Sequence, residues 1–292
     1  MSESRSVRFV VNAAKTLEGG GFEVRRPFPN RGFMEADPFL LLDEMGPSNL
    51  GPGEAKGAPD HPRRGFETVT YMLEGGMEHR DSAGNAGTLG PGDVQWMTAG
   101  DGVVHSELPS QEILAKGGRQ HGFQLWVNLP RRDKRMKPRY QEIKADRIPE
   151  AVADEGRVRV RVLAGDSLGA RAVIDTRTPI LYLHFTLAPD GRVAQPVPAG
   201  FMAMAYVFGG TGHVGRDARE VRDGQLAVFA EDGGSVLLAS PGDAQEPLRI
   251  LLIGGQPLRE PVARYGPFVM NEEAEILEAI EDYRAGRLGR IA

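Results

Sequence analysis

Three side chains in the first half of this sequence have the chemistry and spacing of a metal-ligand set. His61 opens the run His61-Pro62-Arg63-Arg64-Gly65-Phe66-Glu67-Thr68, and His105 and Glu107 close the run that begins at Gly90-Pro91-Gly92-Asp93. Two imidazoles and a carboxylate suit a divalent first-row metal, and a facial arrangement of the three suits non-haem Fe(II). Side chains alternate faces along an extended chain, so His105 and Glu107 point the same way, and His61, Arg63 and Glu67 share a face. If both segments line one barrel, His61, His105, Glu107 and Glu67 converge inside it. Either pair alone says little, because surface strands carry H-x-R and H-x-E by chance. Together, with a hairpin between them and G-x-x-H at Gly102–His105, they are far more specific.

The other histidines read differently. His79, in Met77-Glu78-His79-Arg80, sits on the hairpin after the first strand, at the surface or behind the ligands. His121, near Phe123 and Trp126, could border a pocket or be structural. His184 lies in an apolar strand and His213 on a hairpin tip, so the second half carries no ligand cluster and reads as metal-free. Two other patterns fail on context. Gly210-Thr-Gly212-His-Val-Gly215 matches a dinucleotide fingerprint, but the residues after Gly215 return to a strand instead of opening a helix. Ser106 beside His105 cannot form a nucleophile–base pair, because neighbouring strand residues face opposite ways.

The elements that must position these residues are β-strands. The 38 glycines and 21 prolines punctuate short β-rich runs: Val69–Leu73, Gly122–Val127, Val158–Leu163, Ile180–Leu187, Phe201–Phe208, Gln225–Phe229, Ser235–Ala239 and Arg249–Ile253. A strand, a glycine-rich hairpin, a turn and a second strand occur twice, from Tyr71 to Thr98 and from Tyr206 to Phe229. That is the unit of a double-stranded β-helix, or jelly-roll barrel. The expected class is all-β, with two stacked barrels and a C-terminal helix. The expected domains are 1–132 and 156–292, with 133–155 as linker. Asn271 is the expected helix cap, with Ile276, Leu277, Ile280 and Tyr283 as an apolar stripe. A second helical stretch is expected around Lys144–Val152, and the basic run Arg131–Lys137 reads as a solvated linker.

Bulk properties narrow the field. A chain of 292 residues can bury ample core without disulfides, and it contains no cysteine, which excludes thiol catalysis and cysteine zinc sites. The net charge of −5 is mild, so direct nucleic-acid binding is not expected. The N-terminus lacks the apolar core of a signal peptide, and no apolar run is long enough to span a membrane. A cytoplasmic monomer is the default expectation.

With these residues in view, the chain resembles the pirins, two-domain members of the cupin superfamily, over essentially its whole length. The resemblance is carried by Asp37–Pro47 (DPFLLLDEMGP), His61–Ser82, Gly90–Glu107, Gly122–Pro130 (GFQLWVNLP) and Pro257–Asn271 (PLREPVARYGPFVMN). It implies two stacked β-barrels, an N-terminal metal site that usually holds iron, a metal-poor C-terminal barrel and a tail packed back on the body. Some members resemble quercetin 2,3-dioxygenases in activity. Others act as regulators that bind transcription factors or metabolic enzymes. His61, His105 and Glu107 match the family's ligand positions, and Glu107 could double as the catalytic base.

One position departs from the pattern H-P-H-R-G-F-E-T: Arg63 stands where the family has a histidine. Arginine has no lone pair to donate and brings a cation toward a dication. Three outcomes stay open. Arg63 turns aside and the other three hold a weaker metal; or its guanidinium takes the metal position beside Glu107 and Glu67, leaving the site metal-free; or it binds an anionic small molecule. The leading expectation is an Fe(II)-dependent dioxygenase, another divalent first-row metal being an alternative, acting on a quercetin-type flavonol or related phenolic. The rival is a regulator acting through a protein partner, and a sugar-binding cupin is a third class.

Overall fold

The structure, a computed structural model, describes residues 3–291, and it is built almost wholly from antiparallel strands. Each strand run read from the sequence is present. Val158–Ala164 shows why: Val158, Val160 and Val162 are buried while Arg159 between them is exposed, the period of two that one buried sheet face imposes.

The strands assemble into the same architecture twice. In one unit a seven-stranded sheet runs Arg139–Ile143, Val94–Thr98, Phe66–Glu74, Gly118–Asn128, Phe39–Leu50, Phe22–Phe28, Ala14–Glu18, and a four-stranded sheet runs Ala58–Arg63, Val103–Pro109, Met77–Asp81, Ala86–Leu89. In the other, the seven run Val7–Asn12, Gln225–Phe229, Met202–Gly209, Leu248–Gly255, Ile180–Leu187, Val158–Ala164, Glu150–Ala153, and the four run Arg192–Pro196, Ser235–Ala239, Thr211–Val214, Arg219–Arg222. Strand by strand the two orders correspond, so the faint sequence repeat is a duplicated cupin barrel. The pseudo-fingerprint Gly210–Gly215 lies in the second barrel's strand Thr211–Val214, which pairs with Arg219–Arg222 and opens no helix. His213 is within that strand and not at its tip.

The two compact units are not consecutive in sequence. One contains the stretch up to Ala14, Pro27–Pro38 and Arg147–Pro257; the other contains Lys15–Arg26, Phe39–Asp146 and everything from Leu258 onward. The stretch expected as linker is therefore partly structural. Arg139–Ile143 is an edge strand paired to Val94–Thr98, and Ala145–Arg147 forms only a short 3-10 turn before the strand Glu150–Ala153. The helix expected there does not form. Nor is the basic run wholly solvated: Lys134 is 1% exposed and gives hydrogen bonds to Gly65 O (2.8 Å), Asn128 Oδ1 (2.7 Å) and Val269 O (2.9 Å). The sequence shows a cation among cations; it does not show the three acceptors that the fold gathers around it.

The closing segment packs on the first barrel. A hairpin, Ala263–Tyr265 with Phe268–Met270, leads to the helix Glu273–Arg284. Phe268, Met270, Ile276, Ala279 and Leu288 form a cluster with Val104. The helix cap is Glu272 and not Asn271: Glu272 and Glu275 form a reciprocal capping box, which satisfies two end donors at once. Of the expected stripe, Ile276 is buried, whereas Leu277 and Tyr283 are exposed, because Ala279 occupies the inner face. Among the described residues no helix is long and apolar enough to cross a membrane.

Candidate metal centre and its cleft

The four-stranded sheet of the first barrel brings the ligand candidates together by register. His105 lies opposite His61 on one neighbouring strand and opposite Asp81 on the other, and Glu107 lies opposite His79. His61, His105 and Glu107 each present one ligand atom within 4.8 Å of the others. The two imidazole rings are 4.4 Å apart, centre to centre.

Hydrogen bonds decide how each ring presents its lone pair. His61 Nδ1 donates to Pro59 O at 2.7 Å, since a carbonyl can only accept. That leaves His61 Nε2 unprotonated, buried and without a hydrogen-bond partner. An imidazole held through one nitrogen with the other bare is the arrangement metal-binding histidines use. His105 Nε2 accepts from Arg63 Nε at 3.2 Å, so its proton resides on Nδ1. Burial, then the charge of Arg63, holds His61 below the usual imidazole range, and the same two causes hold His105 well below it. Both rings are thus neutral, as ligands must be.

Glu107 is positioned by a chain of side chains from the seven-stranded sheet. Trp126 Nε1 donates to Gln124 Oε1 (2.9 Å), Gln124 Nε2 donates to Glu107 Oε1 (2.8 Å), and Thr70 Oγ1 donates to the same oxygen (3.2 Å). Its other oxygen, Oε2, is 3.9 Å from His105 Nε2 and 3.8 Å from Arg63 Nη2. The donor set of two bare or bareable nitrogens and one carboxylate oxygen fits a divalent first-row metal, provided that Arg63 Nε releases His105 Nε2.

Arg63 is 6% exposed. Its guanidinium lies 4.4 Å from the centre of the Trp126 ring and 5.7 Å from that of Phe66. Burial lowers its pKa to about 10, offset in part by Glu107, so it remains a cation at neutral pH. It neither leaves the site nor sits at its centre; it leans on Trp126 and holds His105. Glu67 does not join it. The chain bends at Gly65 as it passes from one sheet to the other, with a φ of +87° that is open to glycine, and the alternation that put Glu67 with Arg63 restarts there. Phe66, Thr68 and Thr70 face the cluster, and Glu67 faces away and accepts from Thr98 Oγ1 at 2.6 Å.

His79 is buried, not at the surface, and pairs with Glu142, which also accepts from Gln95 Nε2. His121 is buried on Glu44 (2.8 Å), which Arg25 also grips, so its role is structural. A cleft of about 750 Å³ opens onto His61, Arg63 and Glu107, walled by Leu41, Met45, Met77 and Trp126 and by Arg264 from the closing hairpin. Sequence reasoning alone does not reach Gln124, Trp126, Thr70 and Arg264 as site residues. The available signal is Gln124, a polar residue spaced by two from Trp126 within an apolar strand.

A model of the family described as Pirin matches residues 21–127, and one described as Pirin C-terminal cupin domain matches residues 182–289. The chain belongs to the pirin family. A pirin-like protein of Solanum lycopersicum is 45% identical, with 99% of this chain and 94% of that protein covered. The pirin of Rattus norvegicus is 43% identical, with 99% and 95% covered. Among solved structures, a quercetin 2,3-dioxygenase from Acinetobacter baumannii superposes with a TM-score of 0.91 at 38% identity, covering 99% of this pirin and 100% of that chain.

Proposed function

We propose that this pirin is a metal-dependent dioxygenase acting on quercetin-type flavonols or related phenolics, with His61, His105 and Glu107 as ligands. The observation that carries the reading is the bare, buried Nε2 of His61, held ready by Pro59 O and grouped with His105 and Glu107 at the floor of a cleft. The likeness to a quercetin 2,3-dioxygenase supports the choice of substrate class. Iron(II) bound there would supply the Lewis acidity and one-electron chemistry that oxygen activation needs.

The protein's own residues do the rest. Leu41, Met45 and Met77 give an aromatic substrate a largely apolar wall and displace water from it. Trp126, whose ring carries Arg63 and Arg264 close to its centre, lines the same space. Glu107 Oε2 is the carboxylate oxygen left without a donor at hydrogen-bond distance, so it is the atom that takes the proton of a phenolic hydroxyl. Gln124 and Thr70 hold the opposite oxygen and so fix the direction in which that proton is accepted. Folded protein loaded anaerobically with Fe(II) and then exposed to air should consume quercetin and oxygen together; consumption of neither overturns the reading.

A second reading has its own observation. Arg63 Nε occupies the His105 lone pair, which favours a metal-poor protein that acts by binding a regulatory partner. Saturable binding of a defined partner that survives Arg63→Ala and His105→Ala, without oxygen consumption, would select it. A cytoplasmic location and a monomeric state belong to the same proposal, and are tested by fractionation and by mass in solution.

A further inference from the structure

We infer that Arg63 is an anion receptor, and that the cleft binds an aromatic carboxylate through its guanidinium without needing a metal. The inference rests on the proposed function only in taking this cleft as the ligand site.

A guanidinium carries five N–H groups and accepts nothing. Only Nε of Arg63 is used, on His105. Nη1 and Nη2 make no hydrogen bond to any of the described residues, and the nearest carboxylate oxygen, Glu107 Oε2, stands 3.8 Å from Nη2. Four N–H donors are thus left open to the cleft, since Arg63 lines it. A carboxylate that meets them exchanges contacts with water for a charge-assisted pair in a largely buried setting.

The nearby acids do not use these donors: Asp43 and Glu18 both hold Arg26, and Glu107 takes Gln124 and Thr70 on Oε1. The free hydrogen-bonding capacity of the guanidinium is therefore donor capacity, while Glu107 Oε2 and His61 Nε2 stay as the open acceptors beside it. Two parallel N–H groups match two coplanar oxygens, the fork geometry that carboxylates satisfy.

Trp126 sets the body of the ligand. Arg63 lies 4.4 Å and Arg264 4.9 Å from the centre of that ring. A flat, apolar ring entering along Trp126 would put its carboxylate on Arg63 while Leu41, Met45 and Met77 cover its faces, within about 750 Å³. Arg264, exposed on the closing hairpin, adds a second positive charge to the wall.

The test uses the full chain stripped of metal with a chelator, so that flavonol turnover plays no part in the readout. Calorimetric titration with 2-naphthoate and with its uncharged counterpart 2-naphthamide should show the acid binding at least about tenfold tighter, the scale of a charge-assisted hydrogen-bond pair. Arg63→Met should erase that difference while Arg63→Lys retains part of it. Equal affinities for acid and amide, no binding of either, or naphthoate binding unchanged in a folded Arg63→Met protein would each overturn the inference. If Arg63→Met does not fold, the acid–amide comparison on the unaltered protein decides alone. Loss of quercetin oxidation would leave this result standing, and failure here would leave oxidation standing.

Discussion

Arg63 Nε and His105 Nε2 are 3.2 Å apart, and the nitrogen that receives this hydrogen bond is one of those that would have to face a metal. The contact is held from both sides. Arg63 is braced on Trp126, and His105 is wholly buried between strands carrying His61 and Asp81. Metal binding at His61, His105 and Glu107 would therefore compete with an internal hydrogen bond, and the cost of breaking it would be part of the metal affinity.

Replacing the competitor should reveal that cost. Arg63→His removes the cation and the donor to His105 and supplies a further imidazole. Metal affinity, measured by chelator competition and elemental analysis, should rise by more than about tenfold, the scale on which groups around metal ligands act. Equal metal content and affinity in both proteins would show that Arg63 already stands clear of the site in solution.

The turn at Gly65 has no room for a side chain. Its φ is +87°, and a Cβ there would fall 1.9 Å from Val269 O. Gly65→Ala should destabilise the protein by more than about 2 kcal/mol in denaturant unfolding, combining backbone strain with a displaced hairpin. A change within about 0.5 kcal/mol would mean that the closing hairpin is not seated on this turn.

Lys134 makes a pH-dependent contribution in which burial opposes the charge and the three acceptors on Nζ favour it. Burial lowers its pKa from 10.5 to about 7 in the folded protein, against the attraction of Glu260 and Glu275. Between pH 7 and about 10 the unfolded chain then binds the proton more fully than the folded one, so this group adds stability as pH rises. The melting temperature of the natural protein, minus that of Lys134→Met, should increase across that window and be flat below it. A difference independent of pH across the same range would refute the assignment. Lys134→Met also strands three acceptors and should cost about 1–3 kcal/mol near neutrality.

Trp126 should report on the cleft. It is one of two tryptophans, and Trp96 is fully buried. Ligand-dependent quenching of tryptophan fluorescence, corrected for ligand absorption, should fall by most of its amplitude in Trp126→Phe. Quercetin affinity should weaken by about three- to tenfold, equivalent to roughly 0.5–1.5 kcal/mol of ring contact. Quenching preserved in the variant would place the ligand elsewhere.

The barrels are legible in the sequence because buried sheet faces impose a period of two, and runs such as Val158–Ala164 carry it openly. The grouping of His61, His105 and Glu107 is legible for the same reason. The limit comes at Gly65. Alternation holds only while the backbone stays extended, and one left-handed residue resets it, sending Glu67 away from Arg63. Lys134 looks solvated in the sequence because charge alone says nothing of acceptors contributed by Gly65, Asn128 and Val269. Gln124 reaches the cleft through its pairing with Thr70, and Arg264 through a hairpin that bridges to the barrel at Arg64 and Phe268; no local pattern encodes either.

The order in which the chain is made gives the closing hairpin a further meaning. Arg264, Gly266 and Pro267 line the cleft, yet they come after the whole second barrel has been synthesised. A chain cut before Leu258 would carry the sequence of every strand in both barrels and still lack one wall of the cleft.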